Sequence, residues 1–264
     1  MIEVIEAAMN AGKKIMEIYE KDFDVAYKED ESPLTIADQK ANEIITDALH
    51  EAFPDTPVLS EEGNQLSYKE RYAWTEFFLV DPLDGTKEFI KKNGEFTVNI
   101  ALVSHGSPCF GVIYAPALDI LYIGDTSKGA VKVEQALTYD GISDDKGWFK
   151  QGVSLPNVSP EKDTANVVAS RSHMSDETKD FIQQVEKKYA TVETLSTGSS
   201  LKLCLVAEGA ADYYPRYAPT MEWDTGAGQA IVEAAGGTVI VAGAEDPLSY
   251  NKENLQNPWF LAKR

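Results

Sequence analysis

The sequence predicts a mixed α+β and α/β chain, with helices on an antiparallel sheet in its first half and an α/β second half. Three observations carry this expectation. Two amphipathic helical stretches open the chain, turn-separated apolar strands follow, and beyond about residue 160 strand and helix patterns alternate. With 264 residues, 43% hydrophobic and 25% charged, the chain can bury a sizeable core in one large domain or two modest ones. That composition argues against disorder and low-complexity character.

Ile2, Ile5, Met9, Met16 and Tyr19 recur at helical spacing, so a helix is expected from residue 2 to about 20. A polar loop from Lys28 to Pro33 leads to a second helix marked by Ala37, Ala41, Ile44, Ile45, Ala48, Leu49 and Phe53, which Pro54 stops. The short apolar runs 57–60 and 77–80 read as strands, and 95–103, 109–116 and 120–125 as consecutive antiparallel strands separated by turns such as His105-Gly106-Ser107-Pro108. Between Gly141 and Asp163 periodicity is lost, which predicts a boundary dividing the chain into 1–158 and 159–264. The second half reads as strand 166–170, helix 175–188 opened by a serine cap, strand 191–196, a helix over SSLKLCLVAEG, strand 211–217, a glycine-closed helix over WDTGAGQAIVEAAGG, and strands 238–242 and 259–262. No internal repeat is visible.

Charge excludes some classes. Lys and Arg number 24 against 43 Asp and Glu, a formal charge of −19, so a nucleic-acid polymer would be repelled. A small anionic substrate is compatible, provided metal ions or a few cations reverse the field locally. No apolar run approaches the roughly 20 residues of a membrane span. The acid-bearing N-terminus lacks signal-peptide character. A cytoplasmic protein is expected. Cys109 and Cys204, far apart and without CxxC spacing, imply neither a thiol-rich zinc site nor a disulfide scaffold.

The chemistry concentrates in FFLVDPLDGTKEF. An apolar strand is expected to end at Val80. Asp81 and Asp84 follow in a turn fixed by Pro82 and eased by Gly85, so both carboxylates can face one point. Two such oxygens and a turn carbonyl suit Mg²⁺, while an Asp-Pro turn with a helix-capping aspartate accounts for the same residues. VLSEEG places Glu61 and Glu62 after another short strand, and MEWDTGAG places Asp224 at a helix start. These also fit an acidic turn and an N-cap. Carboxylates repeated at strand ends and helix starts are nevertheless how a two-metal site for phosphoryl transfer is assembled. A short helix opening near residues 84–88 would offer N–H groups to phosphate.

DPLDGTKEF, SEEG and WDTGAG, in this order and spacing, resemble the Mg²⁺-dependent, lithium-sensitive phosphatases of the inositol monophosphatase superfamily. The resemblance spans essentially the whole chain. It is strongest to the 3′(2′),5′-bisphosphate nucleotidases of bacterial sulfur assimilation, through DPLDGTKEFIKKNGEFTVNIALV and GSSLKLCLVAEGAADYYPRYAPTMEWDTGAG. It implies a layered αβαβα sugar-phosphatase-like fold, two or three Mg²⁺ ions per site, a monomer or homodimer, and room for peripheral association with the inner membrane. Glu61, Asp81, Asp84, Asp224 and the Leu83 carbonyl would hold the ions. Gly85 and Thr86 would offer N–H groups to the scissile phosphate, alongside Asp84 and Asp224. Thr86, paired with Asp38, would orient and deprotonate the attacking water, and Glu61 would share that task. Lys28 matches a lysine near the metal waters, with a loop lysine as its alternative. Glu62 has no firm role, a capping function or support of the ligands being favoured over direct ligation.

Bound Mg²⁺ lowers the pKa of water and cancels charge on a phosphate monoester. No covalent intermediate is expected, because the chain lacks both a CxxxxxR motif and the DxDx[TV] pattern of aspartyl-phosphate enzymes. The second half should choose the substrate. Arg171 and His173 in SRSHMS, Ser199, Ser200 and Lys202 in GSSLK, and Arg216 in YYPRYAP match subgroup positions at the nucleoside and its second phosphate. Against this, Arg216 fits pairing with a surface acid and His173 fits capping the next helix. His50 and His105 read as surface histidines. The function expected is removal of the 3′-phosphate of adenosine 3′,5′-bisphosphate to give AMP. The alternatives are an inositol or sugar monophosphate phosphatase and a non-catalytic acidic metal-binding protein.

Overall fold

The structure is a computed structural model describing residues 1–20, 25–27, 33–64, 66–139, 141–158, 163–169 and 174–264, with backbone alone at 25–27 and 33–35. Helix α1 (Ile2–Tyr19) is followed by a small antiparallel pair, β1 (Val25–Tyr27) and β2 (Pro33–Thr35), and by α2 (Ile36–Ala52). Next come β3 (Val58–Ser60), α3 (Tyr68–Arg71), β4 (Glu76–Asp84), α4 (Thr86–Ile90), β5 (Thr97–Ser104), β6 (Ser107–Ala115), β7 (Ile120–Asp125), β8 (Gly129–Glu134), α5 (Asp145–Gln151) and β9 (Val153–Leu155). These seven strands form one sheet in chain order, antiparallel throughout except for parallel β3–β4.

The remaining elements are β10 (Thr164–Val168), α6 (Asp176–Glu186), β11 (Thr191–Leu195), α7 (Leu201–Glu208), β12 (Tyr213–Arg216), α8 (Gly226–Ala234), β13 (Thr238–Val241) and β14 (Phe260–Lys263). Their sheet runs β11-β10-β12-β14-β13, with β10 parallel to both neighbours and β14 antiparallel to both of its own. The α/β half thus carries a mixed sheet. Elements β8, α5 and β9 lie where sequence patterning gave no signal. The last two span seven and three residues, too short to display a period, and rest on tertiary contacts such as the burial of Trp148.

Strand alternation sets the layers. Phe78, Val80, Val98 and Ile100 point into one apolar cluster with Ile5, Ile15, Ile45 and Leu49 of α1 and α2. Phe77, Leu79, Ala101 and Val103 point the other way, into a cluster with α7 and α8 that extends to Phe260 and Ala262 of the second sheet. On the far face of that sheet Val185 of α6 joins Ala165 and Val167 of β10. The order is therefore α–β–α–β–α, as the sequence resemblance implied. Glycine permits the closest contact. A Cβ on Gly111 would stand 2.4 Å from the Ala227 carbonyl, and one on Gly124 2.5 Å from Ile231 Cα, so α8 lies directly on the backbone of β6 and β7. Among the described residues, no helix is long and apolar enough to cross a membrane.

Candidate active site

The strand that sequence patterning ends at Val80 continues to Asp84, and its last residues carry an irregularity. Asp81 pairs with Asn99 and Asp84 with Thr97, so three residue steps on β4 oppose two on β5. In a regular strand residues three apart face opposite sides. The one extra residue brings both aspartates to the same side, that of Asn99 and Thr97. It is a bulge rather than a terminal turn that aims the pair at the layer holding α7 and α8. The capping alternative does not describe Asp84: Gly85 caps α4, without a side-chain bond and with φ of 92°. Asp224 does not cap α8 either, since Thr225 holds that position.

Each of three carboxylates has one oxygen held by the protein. Asp81 Oδ1 accepts from Leu83 N–H (3.1 Å), Asp84 Oδ2 from the Ser200 hydroxyl (2.8 Å) and Asp224 Oδ2 from Met221 N–H (2.9 Å). Ser200 is itself held, accepting from Asn99 Nδ2 at 3.0 Å, and its Oγ lies 3.0 Å from the Asp224 carbonyl. Asn99 is a site residue that sequence reasoning missed; its signal was a lone amide in the apolar run FTVNIALV. Glu61, at the end of β3, completes the group: ligand oxygens of Glu61, Asp81 and Asp224 all lie within 4.8 Å of one another.

This proximity is electrostatically costly. Burial, then repulsion from Glu61, Asp84, Asp224 and Asp38, pushes Asp81 well above the carboxylate range; its side chain is 1% exposed. Burial, with Asp84 and Glu61 adding to it, pushes Asp224 up to about 7 against a lowering contribution from Met221 N–H. Asp84 is raised by burial, while the Lys202 ammonium and the Ser200 hydroxyl pull it down. Donors that are all oxygen, crowded and short of positive charge, fit a hard divalent cation such as Mg²⁺.

A cleft of about 460 Å³ opens over Glu61, Asp81, Leu83, Asp84, Thr86 and Asp224. Gly85 and Arg216 also line it. A neighbouring space of about 270 Å³ shares Asp84, Asp224 and Arg216 and adds Ser199, Ser200 and Lys202. A third, of about 100 Å³, shares Lys202 and Arg216 and runs between Met174, Tyr214 and Tyr217. The acids, two cations and an aromatic-lined recess therefore follow one another along a single groove. Asp38, 2% exposed on α2, is near enough to act on Asp81. Thr86 opens α4 in the cleft. Ser199 stands next to Thr97 and accepts from Lys202 Nζ (3.0 Å) at its carbonyl. Glu62 is not in the acid group. His50 and His105 are exposed, as expected. Lys28, Arg171 and His173 lie outside the described residues.

The five-layer fold with carboxylates gathered at one end of its larger sheet defines a known architectural class. The extragenic suppressor protein suhB of Bartonella henselae shares it with a TM-score of 0.72 and 25% identity, covering 100% of this chain and 93% of that one. Residues 1–258 match the Inositol monophosphatase family, and the chain belongs to it. It is 44% identical over 262 residues to the 3′(2′),5′-bisphosphate nucleotidase CysQ of Escherichia coli (strain K12), covering 98% of this chain and 97% of that protein. The crystal structure of CysQ from Bacteroides thetaiotaomicron, described as a bacterial member of the inositol monophosphatase family, superposes with a TM-score of 0.88 at 49% identity, covering 99% and 96% of the two chains.

Proposed function

We propose that the protein is a Mg²⁺-dependent 3′(2′),5′-bisphosphate nucleotidase that hydrolyses the 3′-phosphate of adenosine 3′,5′-bisphosphate to AMP and phosphate. The observation that carries the reading is the placement of Lys202 and Arg216 beside the acid cluster, in a chain whose net charge is −19. A metal site alone neutralises one phosphate. Two further cations in the adjoining space supply what a second phosphate needs, and the recess beyond them suits a flat apolar base. Relatives 44% identical carry this activity in their name.

In this reading Glu61, Asp81, Asp84, Asp224 and the Leu83 carbonyl hold the ions. Residues 1–158 form the metal- and phosphate-binding half, and 159–264 the half that completes the site. When bound, Mg²⁺ offsets the charge on the phosphoryl oxygens and lowers the pKa of the attacking water. Gly85 and Thr86 direct N–H groups at the scissile phosphate from the start of α4. The Thr86 hydroxyl, paired with Asp38, orients the water and takes its proton, with Glu61 sharing the task. The water oxygen bonds to phosphorus as the bond to the ribose 3′-oxygen breaks, and that oxygen takes up a proton. Lys202, Ser199 and Arg216 hold the other phosphate and the nucleoside. A cytoplasmic location follows from a soluble nucleotide substrate.

Phosphate release from adenosine 3′,5′-bisphosphate and inositol 1-phosphate, with Mg²⁺ and with chelator, tests the proposal. The bisphosphate should give the higher kcat/KM, with loss of activity in chelator and inhibition by Li⁺. Preference for inositol 1-phosphate would favour a sugar-phosphate phosphatase, and no release from either would favour a non-catalytic metal-binding protein.

A further inference from the structure

Glu61 and Asp224 approach each other from separate parts of the chain, the end of β3 and the loop before α8, and their charges repel. A third segment, the loop 249–257 between β13 and β14, is bonded to both sides. On the Asp224 side, Glu222 is fully buried and its carboxylate accepts three hydrogen bonds. Oε2 accepts from Asn251 N–H at 2.7 Å, and Oε1 accepts from Lys252 N–H at 3.0 Å and Lys252 Nζ at 2.6 Å. Glu222 N–H donates to the Leu255 carbonyl (2.9 Å), and Asn257 Nδ2 to the Met221 carbonyl (2.8 Å).

On the Glu61 side, the Asn251 amide faces Arg71, the last residue of α3, which is 2% exposed. Asn251 Nδ2 donates to the Arg71 carbonyl at 2.7 Å, and an Arg71 amino group returns 2.8 Å to Asn251 Oδ1. The same guanidinium donates to the carbonyls of Lys252 (2.7 Å) and Glu253 (3.0 Å). Between the two arms lies a cavity of about 330 Å³ lined by Ser60, Glu61, Arg71, Met221, Trp223 and Leu255. Across this space the loop joins the Asp224 segment to α3, while Glu61 itself is tied to β4 by its N–H to the Val80 carbonyl (3.1 Å).

We propose that this loop is a bracket setting the distance between Glu61 and Asp224, and that Glu222, Lys252, Asn251 and Arg71 are positioning residues for divalent-cation binding although none lines the cleft over the acids. The inference rests on the metal reading above. A cation needs its oxygens at a fixed separation, and like charges drift apart unless something independent of the cation restrains them. A partly buried ion pair, closed on the Glu222 side by two backbone N–H groups, is such a restraint. The loop's own conformation contributes, since Asn251 sits at φ 68°.

The test is Mn²⁺ binding to the full chain by calorimetry without substrate, alongside thermal unfolding and phosphate release against Mg²⁺ concentration. Asn251→Gly keeps the left-handed backbone accessible and removes the two bonds between the Asn251 amide and Arg71, leaving those from the guanidinium to the Lys252 and Glu253 carbonyls; Lys252→Met removes the ion pair. Each should raise the Mn²⁺ Kd about tenfold or more. Activity should recover at high Mg²⁺ with the nucleotide KM unchanged. Ile123→Val, a core truncation remote from the bracket, should lower Tm and leave the Kd in place. Wild-type Kd in variants whose Tm has fallen would overturn the bracket. If Lys252→Met does not fold, Asn251→Gly, which keeps the Glu222 contacts, decides. Failure of the wild-type protein to bind Mn²⁺ would overturn the metal reading, and the bracket with it.

Discussion

Removing the charge of Lys202 or Arg216 should weaken binding of a bisphosphate far more than that of a monophosphate. Among the described residues, Lys202 Nζ is bonded to the Ser199 carbonyl and one Arg216 amino group to the Pro219 carbonyl (3.2 Å), while Arg216 Nε is buried without a partner. Both side chains therefore keep N–H donors for a ligand. A charge-assisted hydrogen bond to phosphate contributes about 1.5–3 kcal/mol, or roughly ten- to a hundredfold in affinity. The same cations have a second effect: Lys202 lowers the Asp84 pKa and Arg216 that of Asp224, so their loss also raises the proton affinity of these carboxylates. That penalty falls equally on any phosphate substrate. The assay is kcat/KM for adenosine 3′,5′-bisphosphate and for adenosine 3′-monophosphate, at saturating Mg²⁺, with Lys202→Met and Arg216→Met. The ratio of the two losses cancels the shared penalty and isolates the second phosphate. Most of the selective loss should appear in KM. Equal losses on both substrates would refute the argument and leave these cations as counter-charges for the acids alone.

Asp84→Asn and Asp224→Asn should each abolish phosphate release. Because burial and mutual repulsion already disfavour the charges, the metal-free variants should melt at or above the wild-type temperature; retained activity at saturating Mg²⁺ would remove the residue from the ligand set. The thermal gain from Mg²⁺ should depend on pH. With Asp224 near 7 in the folded chain and 3.8 as its ordinary value, the metal-free native state binds more protons than the unfolded one between those limits. Metal-free stability from this group is thus highest at low pH and falls as pH rises to about 7, so the Mg²⁺-induced rise in Tm should be larger at pH 8 than at pH 5.5; a gain independent of pH across that window would contradict the titration argument. Gly124→Ala should destabilise by about 1–3 kcal/mol in urea unfolding, because the new methyl would stand 2.5 Å from Ile231 Cα, and an unchanged midpoint would mean that α8 moves freely on the sheet.

Helical and alternating periodicities in the sequence mark most elements correctly, because those patterns record which face each element buries. They locate α1 and α2 to within a residue or two and the strands of the central hairpins nearly as closely. They miss α3, α5 and β9, which are short and owe their form to neighbours rather than to local pattern, and also β8, a six-residue strand as long as β7. The acids, too, were legible: Asp81, Asp84, Asp224 and Glu61 interrupt apolar runs at strand ends and helix starts, where a soluble core has no use for them. What the sequence by itself could not determine is their direction. A one-residue bulge in β4, invisible as composition, puts Asp81 and Asp84 on one side. The register with β5 brings in Asn99, and through it Ser200, from a helix some hundred residues away. The Glu222–Lys252 and Asn251–Arg71 contacts are likewise unmarked in the sequence, since pairings across 30 and 180 positions leave no local signature. Residue type and spacing are local properties and fix what chemistry the chain carries. The distances between carboxylates depend on sheet register and loop closure, which exist only once the layers have packed.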